Sequence, residues 1–233
     1  MFTDYSNLLT KIKIQIDDKK LLQNAFIHRS YLNEHRTFEL PSNEKLEFLG
    51  DSVLSLITSI YLYKNYKDLK EGDYTDIKAA IVRTESLAEA ARTLELGQFL
   101  HLSKGQEQEK GRENTNILAD TFEALIAVIF IDKGFDTAYE FVVSYLFGTK
   151  LDHIIKNKLY LSPKSRLQEY LQAKYKMTPV YKVISEEGPE HQRTFVVAAT
   201  FNEAVIGQGI GHSKKEAEEL AAQNAFEKKS FWW

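Results

Sequence analysis

Residues 43–51 read Asn-Glu-Lys-Leu-Glu-Phe-Leu-Gly-Asp, and this stretch begins a segment whose apolar residues recur at three- and four-residue spacing as far as Tyr63. Such spacing predicts a helix with one apolar face. The acids Glu44, Glu47 and Asp51 stand at positions i, i+3 and i+7, so a helix places them on one face. Taken alone, this pattern is typical of a solvated acidic face.

A second pair of acids lies in a strongly apolar segment. Residues 117–131 contain twelve apolar residues and Thr121, but only two charged residues, Asp120 and Glu123. This composition predicts a buried helix, in which carboxylates are costly unless they pair with a cation or bind a metal. The segment itself has no Lys or Arg to pair with them. Two helices with acids at i, i+3 spacing therefore indicate a joint site of oxygen ligands, which suits Mg²⁺.

Composition places the chain among ordinary globular proteins, with 43% hydrophobic and 27% charged residues in 233. The absence of cysteine excludes disulfides, thiolate zinc sites and a cysteine nucleophile, and favours a reducing compartment. The longest apolar stretch is shorter than the ~20 residues that span a bilayer, and the N-terminus does not resemble a signal peptide. We therefore expect a cytoplasmic protein without a membrane segment.

Periodicity divides the chain into two parts. The first is predicted to be helical, with helical segments at 44–63, 75–94 and 117–147 and polar loops at 35–43, 67–73 and 104–116. The second follows a linker near 152–162 and has an α-β-β-β-α order, with strand-like runs at 180–184, 193–201 and 205–210. Ser162-Pro163 predicts the start of its first helix, and the capping-box sequence from Ser213 to Glu216 predicts the start of its last.

Net charge is −3, so nucleic-acid binding would have to be local. Residues 160–233 carry a net charge of +1 and residues 1–159 a net charge of −4. In the second part, Lys214 and Lys215 fall in the first turn of a predicted helix, where positive charge opposes the helix dipole unless an anion binds there. A solvated pair of lysines is the alternative interpretation.

The run Asn-Glu-Lys-Leu-Glu-Phe-Leu-Gly-Asp-Ser-Val-Leu at 43–54 resembles the signature of ribonuclease III. The segments 28–31, 71–72 and 117–126 match further, and residues 160–229 resemble the family's double-stranded-RNA-binding domain. The resemblance covers nearly the whole chain. It implies an α + (α+β) fold class, in which an all-α ribonuclease III endonuclease domain at 1–155 precedes a small α-β-β-β-α double-stranded-RNA-binding domain at 160–229.

The resemblance also implies an activity. It predicts a Mg²⁺-dependent homodimeric endoribonuclease, with Mn²⁺ as a substitute metal and no organic cofactor. The expected reaction is hydrolysis of double-stranded RNA by water to 5′-phosphate and 3′-hydroxyl ends. Ribosomal-RNA precursors and other structured transcripts, including messenger RNA, are the expected substrates.

Residue-level matches assign roles to the acids and to one aromatic side chain. Asp51 and Glu123 would be the most directly catalytic groups, and Glu44 and Glu71 would be supporting acids. Phe48 lies beside the acidic face, and the pattern alone leaves open whether it packs within the chain or against a partner. The resemblance favours insertion into a partner subunit. The implied metal ligands are Glu47, Asp51, Asp120 and Glu123.

In the second domain the resemblance implies two kinds of RNA contact. Gln168 and Glu169 on the first helix and His191 in the loop between the first two strands would face the minor grooves, while Lys214 and Lys215 would contact phosphates. Glu218 stands where many such domains carry a basic residue, so binding would depend on the avidity of a dimer.

Two other functions compete with this interpretation. One is a catalytically silent RNA-binding or ribosome-associated relative, although binding alone gives no reason to keep acids in an apolar helix. The other is a metal phosphohydrolase acting on small nucleotides, which would leave the C-terminal domain without a role.

Overall fold

A computed structural model describes residues 3–189 and 192–228. The chain divides into two compact units, Met1–Lys156 and Asn157–Trp233. The helices of the first unit are α1 Ser6–Ile12, α2 Lys19–Asn24, α3 Arg29–Glu34, α4 Glu44–Asn65, α5 Glu71–Ile81, α6 Thr84–Thr93, α7 Lys104–Gln108, α8 Thr115–Val142 and α9 Gly148–Lys156.

Helix α8 forms the centre of the first unit, and α4 and α6 pack along it. Its side chains are apolar nearly all round, and Phe122 and Leu125 have no exposed surface. Leu54 and Ile57 of α4 are equally buried. The side chain of Asn114 caps the start of α8 by accepting hydrogen bonds from the backbone N–H groups of Asn116 and Ile117, as an N-cap residue does. The core therefore consists of α8 and the helices that surround it.

The helices of this unit differ from the predicted segments in four places. The segment 75–94 is two helices, because Arg83 is extended (φ −66°, ψ 152°) and lets both α5 and α6 turn their apolar faces to the core. Helix α5 begins already at Glu71, within a predicted loop, and α7 occupies part of the predicted loop 104–116. The segment 117–147 is interrupted at Gly134, whose φ of 82° is in the region that favours glycine.

The second unit has the predicted α-β-β-β-α order. An antiparallel sheet is covered on one face by both helices, whose buried Leu167, Leu171 and Ala221 pack with Val197 of the central strand. The side chain of Ser162 caps the first helix and Pro163 is its first residue, as predicted. Its elements are α10 Pro163–Tyr175, β1 Val180–Glu187, β2 Thr194–Phe201, β3 Ala204–Gly211 and α11 Lys214–Glu227.

Helix α4 is the one helix in the described ranges that is long and apolar enough to cross a membrane. Length and composition alone give this result, and core helices of soluble proteins meet the same criterion. Here the apolar side of α4 packs against α8 within the first unit.

Candidate metal centre and nucleic-acid interface

Helices α4 and α8 bring three carboxylates together. Glu47 comes from the first turn of α4, and Asp120 and Glu123 come from consecutive turns of α8. One carboxylate oxygen of each residue lies within 4.8 Å of one oxygen of each of the others. All three side chains are partly buried, which differs from the full burial that the apolar composition of 117–131 predicts. The cluster is therefore open to solvent on one side.

Burial and neighbouring negative charges raise the pKa values in this cluster. Burial is the largest cause that raises the pKa of Glu123 to about 8, and the negative charges of Asp51, Asp120 and Glu47 add to it. Burial and neighbouring acids also raise the pKa of Glu47. Burial raises the pKa of Asp120, although the positive charge of Arg29 opposes this shift. None of the three clustered acids forms a salt bridge within residues 3–189 and 192–228. Clustered oxygen donors without a paired cation fit a hard divalent metal ion.

Gly50 allows the two helices to come this close. A Cβ atom at this position would lie 1.9 Å from the backbone carbonyl oxygen of Glu123, a distance that no side chain tolerates. The backbones of α4 and α8 therefore touch at the level of the acid cluster.

The other predicted acids lie at different distances from the cluster. Asp51 is exposed one turn after Glu47, and its charge acts on both Glu47 and Glu123. Glu44 begins α4, where it accepts a hydrogen bond from the Ser42 hydroxyl at 2.7 Å. Glu71 begins α5 and is not part of the cluster. Its described hydrogen bond, from the Thr75 hydroxyl at 3.5 Å, lies on its own helix.

A polar cavity of about 510 Å³ adjoins the acid cluster. Glu47 and Asp120 form part of its wall, and His28, Arg29 and Asn116 form another part. Arg29 and Asn116 are not among the predicted site residues. The sequence signals that could identify them are the motif His-Arg-Ser-Tyr at 28–31 and the polar start of α8.

Phe48 is exposed on α4. Its fractional exposure is 78%, so packing within the chain does not cover it. Leu56 and Tyr63, which follow on the same helix, are also exposed apolar side chains. Together, Phe48, Leu56 and Tyr63 make up the exposed apolar surface of α4.

The lysines predicted to bind phosphate stand at the start of α11. Lys214 and Lys215 are both exposed, and the Lys214 ammonium lies 5.6 Å from the centre of the Phe195 ring. Ser213 caps the helix by accepting from the Glu216 backbone N–H at 3.1 Å. The Glu216 carboxylate accepts from the backbone N–H of His212, one residue earlier than the capping-box sequence predicts.

The predicted minor-groove residues lie on α10. Gln168 and Glu169 are exposed there, and Glu169 pairs with Lys158 at 2.5 Å. His191 lies outside the described residues.

Glu218 forms an ion pair that the sequence did not predict. Its carboxylate accepts from the Lys164 ammonium at the start of α10. The same ammonium lies 4.8 Å from the centre of the Tyr181 ring, and the Lys164 backbone N–H donates to Glu219 at 3.0 Å. Glu218 therefore links α10 to α11 one turn beyond the two exposed lysines.

Comparison with known proteins shows the family. A family model described as Ribonuclease-III-like matches residues 18–150, and one described as Double-stranded RNA binding motif matches residues 163–229. Ribonuclease 3 of Oceanobacillus iheyensis is 43% identical over 96% of this chain and 97% of its own length. Ribonuclease 3 of Caldanaerobacter subterraneus is 45% identical over 94% and 95%.

A solved structure is similar to the first unit. The nuclease domain of ribonuclease III from Campylobacter jejuni, in which a region involved in dimer formation is structurally flexible, has a TM-score of 0.57 and 34% identity. The match covers 61% of this chain and 96% of that domain. With both of its units matched in order and with relatives similar over nearly their full length, the chain belongs to the ribonuclease III family.

Proposed function

We propose that this protein is a Mg²⁺-dependent endoribonuclease that hydrolyses double-stranded RNA to 5′-phosphate and 3′-hydroxyl ends. The observation that carries the proposal is the cluster of Glu47, Asp120 and Glu123, whose oxygens lie within 4.8 Å of one another and form no ion pair with any described residue, in a chain that also has a double-stranded RNA binding motif. Mn²⁺ would substitute for Mg²⁺, since it accepts the same oxygen ligands. No organic cofactor is needed for this reaction.

The clustered acids fit the metal in number and in kind. Glu47, Asp120 and Glu123 would hold it directly or through its waters, and Asp51 would complete the ligand set from the exposed side of α4. When bound, Mg²⁺ would lower the pKa of a water molecule, neutralise charge on the phosphodiester and orient the attack. Asp51 and Glu123 would act closest to the reacting atoms. Glu44 and Glu71 would act as supporting acids.

Duplex RNA would be held by the second unit. Lys214 and Lys215 would contact phosphates at the start of α11, where the backbone N–H groups and the helix dipole also favour an anion. Gln168, Glu169 and His191 would face the minor grooves. Since Glu218 places a negative charge close to these lysines, a single unit would bind weakly and two units in a dimer would bind by avidity.

The exposed apolar surface of α4 supports a homodimer. Phe48 would insert into the partner subunit, which would remove its large exposed surface from water. Because α4 also carries Glu47, a symmetric dimer would hold two acid clusters near one interface. The region involved in dimer formation in the Campylobacter jejuni protein supports the same assembly.

The cellular role that we propose is the processing of ribosomal-RNA precursors and other structured transcripts, including messenger RNA, in the cytoplasm. The family supports this role, and a cysteine-free composition suits a reducing compartment. No membrane is involved in this role.

A cleavage assay tests the proposal against its two competitors. Labelled duplex RNA, the matching single strand and a nucleoside triphosphate are incubated with the protein in Mg²⁺ or in EDTA. We expect cleavage of the duplex alone, only in Mg²⁺, with 5′-phosphate ends. Duplex binding without cleavage would indicate a silent RNA-binding relative, and hydrolysis of the nucleotide alone would indicate a small-molecule phosphohydrolase.

A further inference from the structure

The polar cavity beside the acid cluster has a wall that the proposed metal chemistry does not use. Its lining includes three acids, Glu44, Glu47 and Asp120, and also the donors Arg29, Asn116 and Gln106. Its volume of about 510 Å³ lies within the ~300–1,000 Å³ that is typical of ligand pockets, so it accommodates a nucleotide-sized group. The lining therefore combines carboxylates that suit a metal with hydrogen-bond donors that suit an anionic ligand.

The guanidinium of Arg29 is available to a ligand. It forms a loose ion pair with Glu44, in which Nη1 lies 3.7 Å from Oε1, too far for a hydrogen bond. The side chain is 74% exposed, and none of its N–H groups donates to an acceptor in the part of the chain that the structure describes. Arg29 is the first residue of α3, so the helix fixes its backbone while the side chain reaches the cavity.

Asn116 adds a second unused donor. Its backbone N–H is held by Asn114 at the start of α8, and this hydrogen bond fixes the position of the residue. The residue lines the cavity, and its side-chain amide has no described hydrogen bond within residues 3–189 and 192–228. A guanidinium and an amide on one wall match the acceptor oxygens of a phosphate and the hydroxyl of a ribose.

The composition of the cavity favours a sugar–phosphate group over a base. Ile117 is its one aliphatic lining residue, and the His28 imidazole is the one ring in the described wall. Nucleic-acid sites that read single bases use aromatic rings on which the bases stack. A wall of amides and one guanidinium instead suits contacts that do not depend on base identity.

We propose that Arg29 and Asn116 form a subsite for the phosphodiester next to the scissile one, on the strand that is being cleaved. The inference rests on the proposed function, because the acid cluster then defines where the scissile phosphate lies. With one phosphate at the metal and its neighbour on Arg29, the strand is held at two points and its backbone is aligned along the cavity. Arg29 and Asn116 are positioning residues in this scheme.

The main competing role for Arg29 is neutralisation of the acids. Its positive charge lowers the pKa of Asp120 and of Glu47, so part of its effect is on the cluster itself. The two roles predict different effects on Mg²⁺ binding when Arg29 is removed. If Arg29 only neutralises acids, its removal leaves the cluster more negative and strengthens Mg²⁺ binding, with no change in RNA affinity.

The test compares Arg29→Gln and Asn116→Ala with the control Arg36→Gln, which removes the same charge from an exposed residue outside the cavity. Steady-state cleavage of duplex RNA is measured at saturating Mg²⁺. We expect Arg29→Gln to lower kcat/KM by at least about tenfold, because it removes one charge-assisted hydrogen bond. Asn116→Ala should lower kcat/KM less. Arg36→Gln should match wild type.

A binding measurement separates the subsite from the neutralising role. Duplex affinity is measured over a range of salt concentrations in a Glu123→Gln background, with and without Arg29→Gln. The added substitution should flatten the salt dependence by about one unit for each site. Unchanged RNA binding and kcat/KM, or tighter Mg²⁺ activation as the sole effect, would overturn the subsite. If wild type itself fails to cleave duplex RNA, the proposed function fails instead. Thermal melts of each variant verify that it is folded.

Discussion

Glu123 keeps a proton that an exposed glutamate would have lost. Burial and three neighbouring carboxylates raise its pKa to about 8, so at neutral pH and without a cation the side chain is mostly uncharged. A metal ion that binds there displaces the proton. Metal affinity should therefore increase as the pH rises toward 8.

Replacement of this carboxyl group tests its role. In EDTA, Glu123→Gln should melt at or above the wild-type temperature and should scarcely cleave RNA in Mg²⁺. The folded pKa of about 8 exceeds the ordinary value of 4.5, so wild type in EDTA loses stability as the pH rises through this range. The amide does not titrate, so the advantage of the variant should be largest near pH 8 and vanish near pH 5. Melting curves at both pH values and a cleavage assay measure these effects.

Glu140→Gln, at an exposed position on the same helix, is the matched control and should change neither property. If Glu123 instead neutralised a buried cation, its loss would cost ~3–5 kcal/mol. Strong destabilisation with normal activity in the folded fraction would contradict the metal assignment.

The negative charge of Glu218 is expected to weaken binding of duplex RNA. Its ion pair occupies Lys164, and its carboxylate stands one turn from Lys214 and Lys215. Glu218→Gln should raise affinity for duplex RNA several-fold and steepen the salt dependence by about one unit, because it frees one ammonium for phosphate contact. Filter binding or anisotropy at several salt concentrations measures both.

Two further variants isolate the contribution of this pair. In a Lys164→Gln background the gain from Glu218→Gln should shrink, since no ammonium is released. Glu227→Gln, at the end of α11, removes the same charge far along the helix and should have little effect. An equal gain in RNA affinity from Glu227→Gln would show that the effect depends on net charge and not on the ion pair.

At the scale of elements, the contact between α4 and α8 forms both the core and the acid cluster. Gly50→Ala would place a methyl group against the Glu123 carbonyl, so the helices must separate. We expect a loss of about 1–3 kcal/mol or more in stability and a large loss of cleavage. Gly72→Ala in α5 is the control, because its Cβ meets nothing within 4 Å and alanine favours helix by up to about 1 kcal/mol. Denaturant unfolding measures both, and equal effects would contradict the close-contact explanation.

Helix periodicity predicts α4 and the start of α8, because their apolar spacing is long and regular. The break at Arg83 could not be predicted, since no glycine or proline marks it and only packing of α5 and α6 on the core requires it. Gly134 carried a signal for its break, but the surrounding apolar residues favoured an uninterrupted helix. Spacing likewise predicts that Glu47 and Asp120 belong to one site, whereas their open side and the cavity with Arg29 depend on tertiary structure.

At the scale of the whole molecule, the exposed apolar surface of α4 predicts assembly. Phe48→Glu should convert a dimer to a monomer in analytical ultracentrifugation, because a charge replaces the side chain that the partner would bury. Its melting temperature at low protein concentration should change little, since Phe48 is 78% exposed within its own chain. Phe48→Leu keeps an apolar side chain and should remain dimeric. A dimeric Phe48→Glu would assign the interface to another surface.

The division of the acid cluster between two distant helices has a consequence for the synthesis of the protein. A ribosome adds ~5–20 residues per second, so α4 emerges several seconds before α8. During that interval the nascent chain holds Glu47 without Asp120 or Glu123 and has no assembled centre. Under the proposed function, the growing polypeptide therefore cannot cleave RNA until the core helix that completes the fold has left the ribosome.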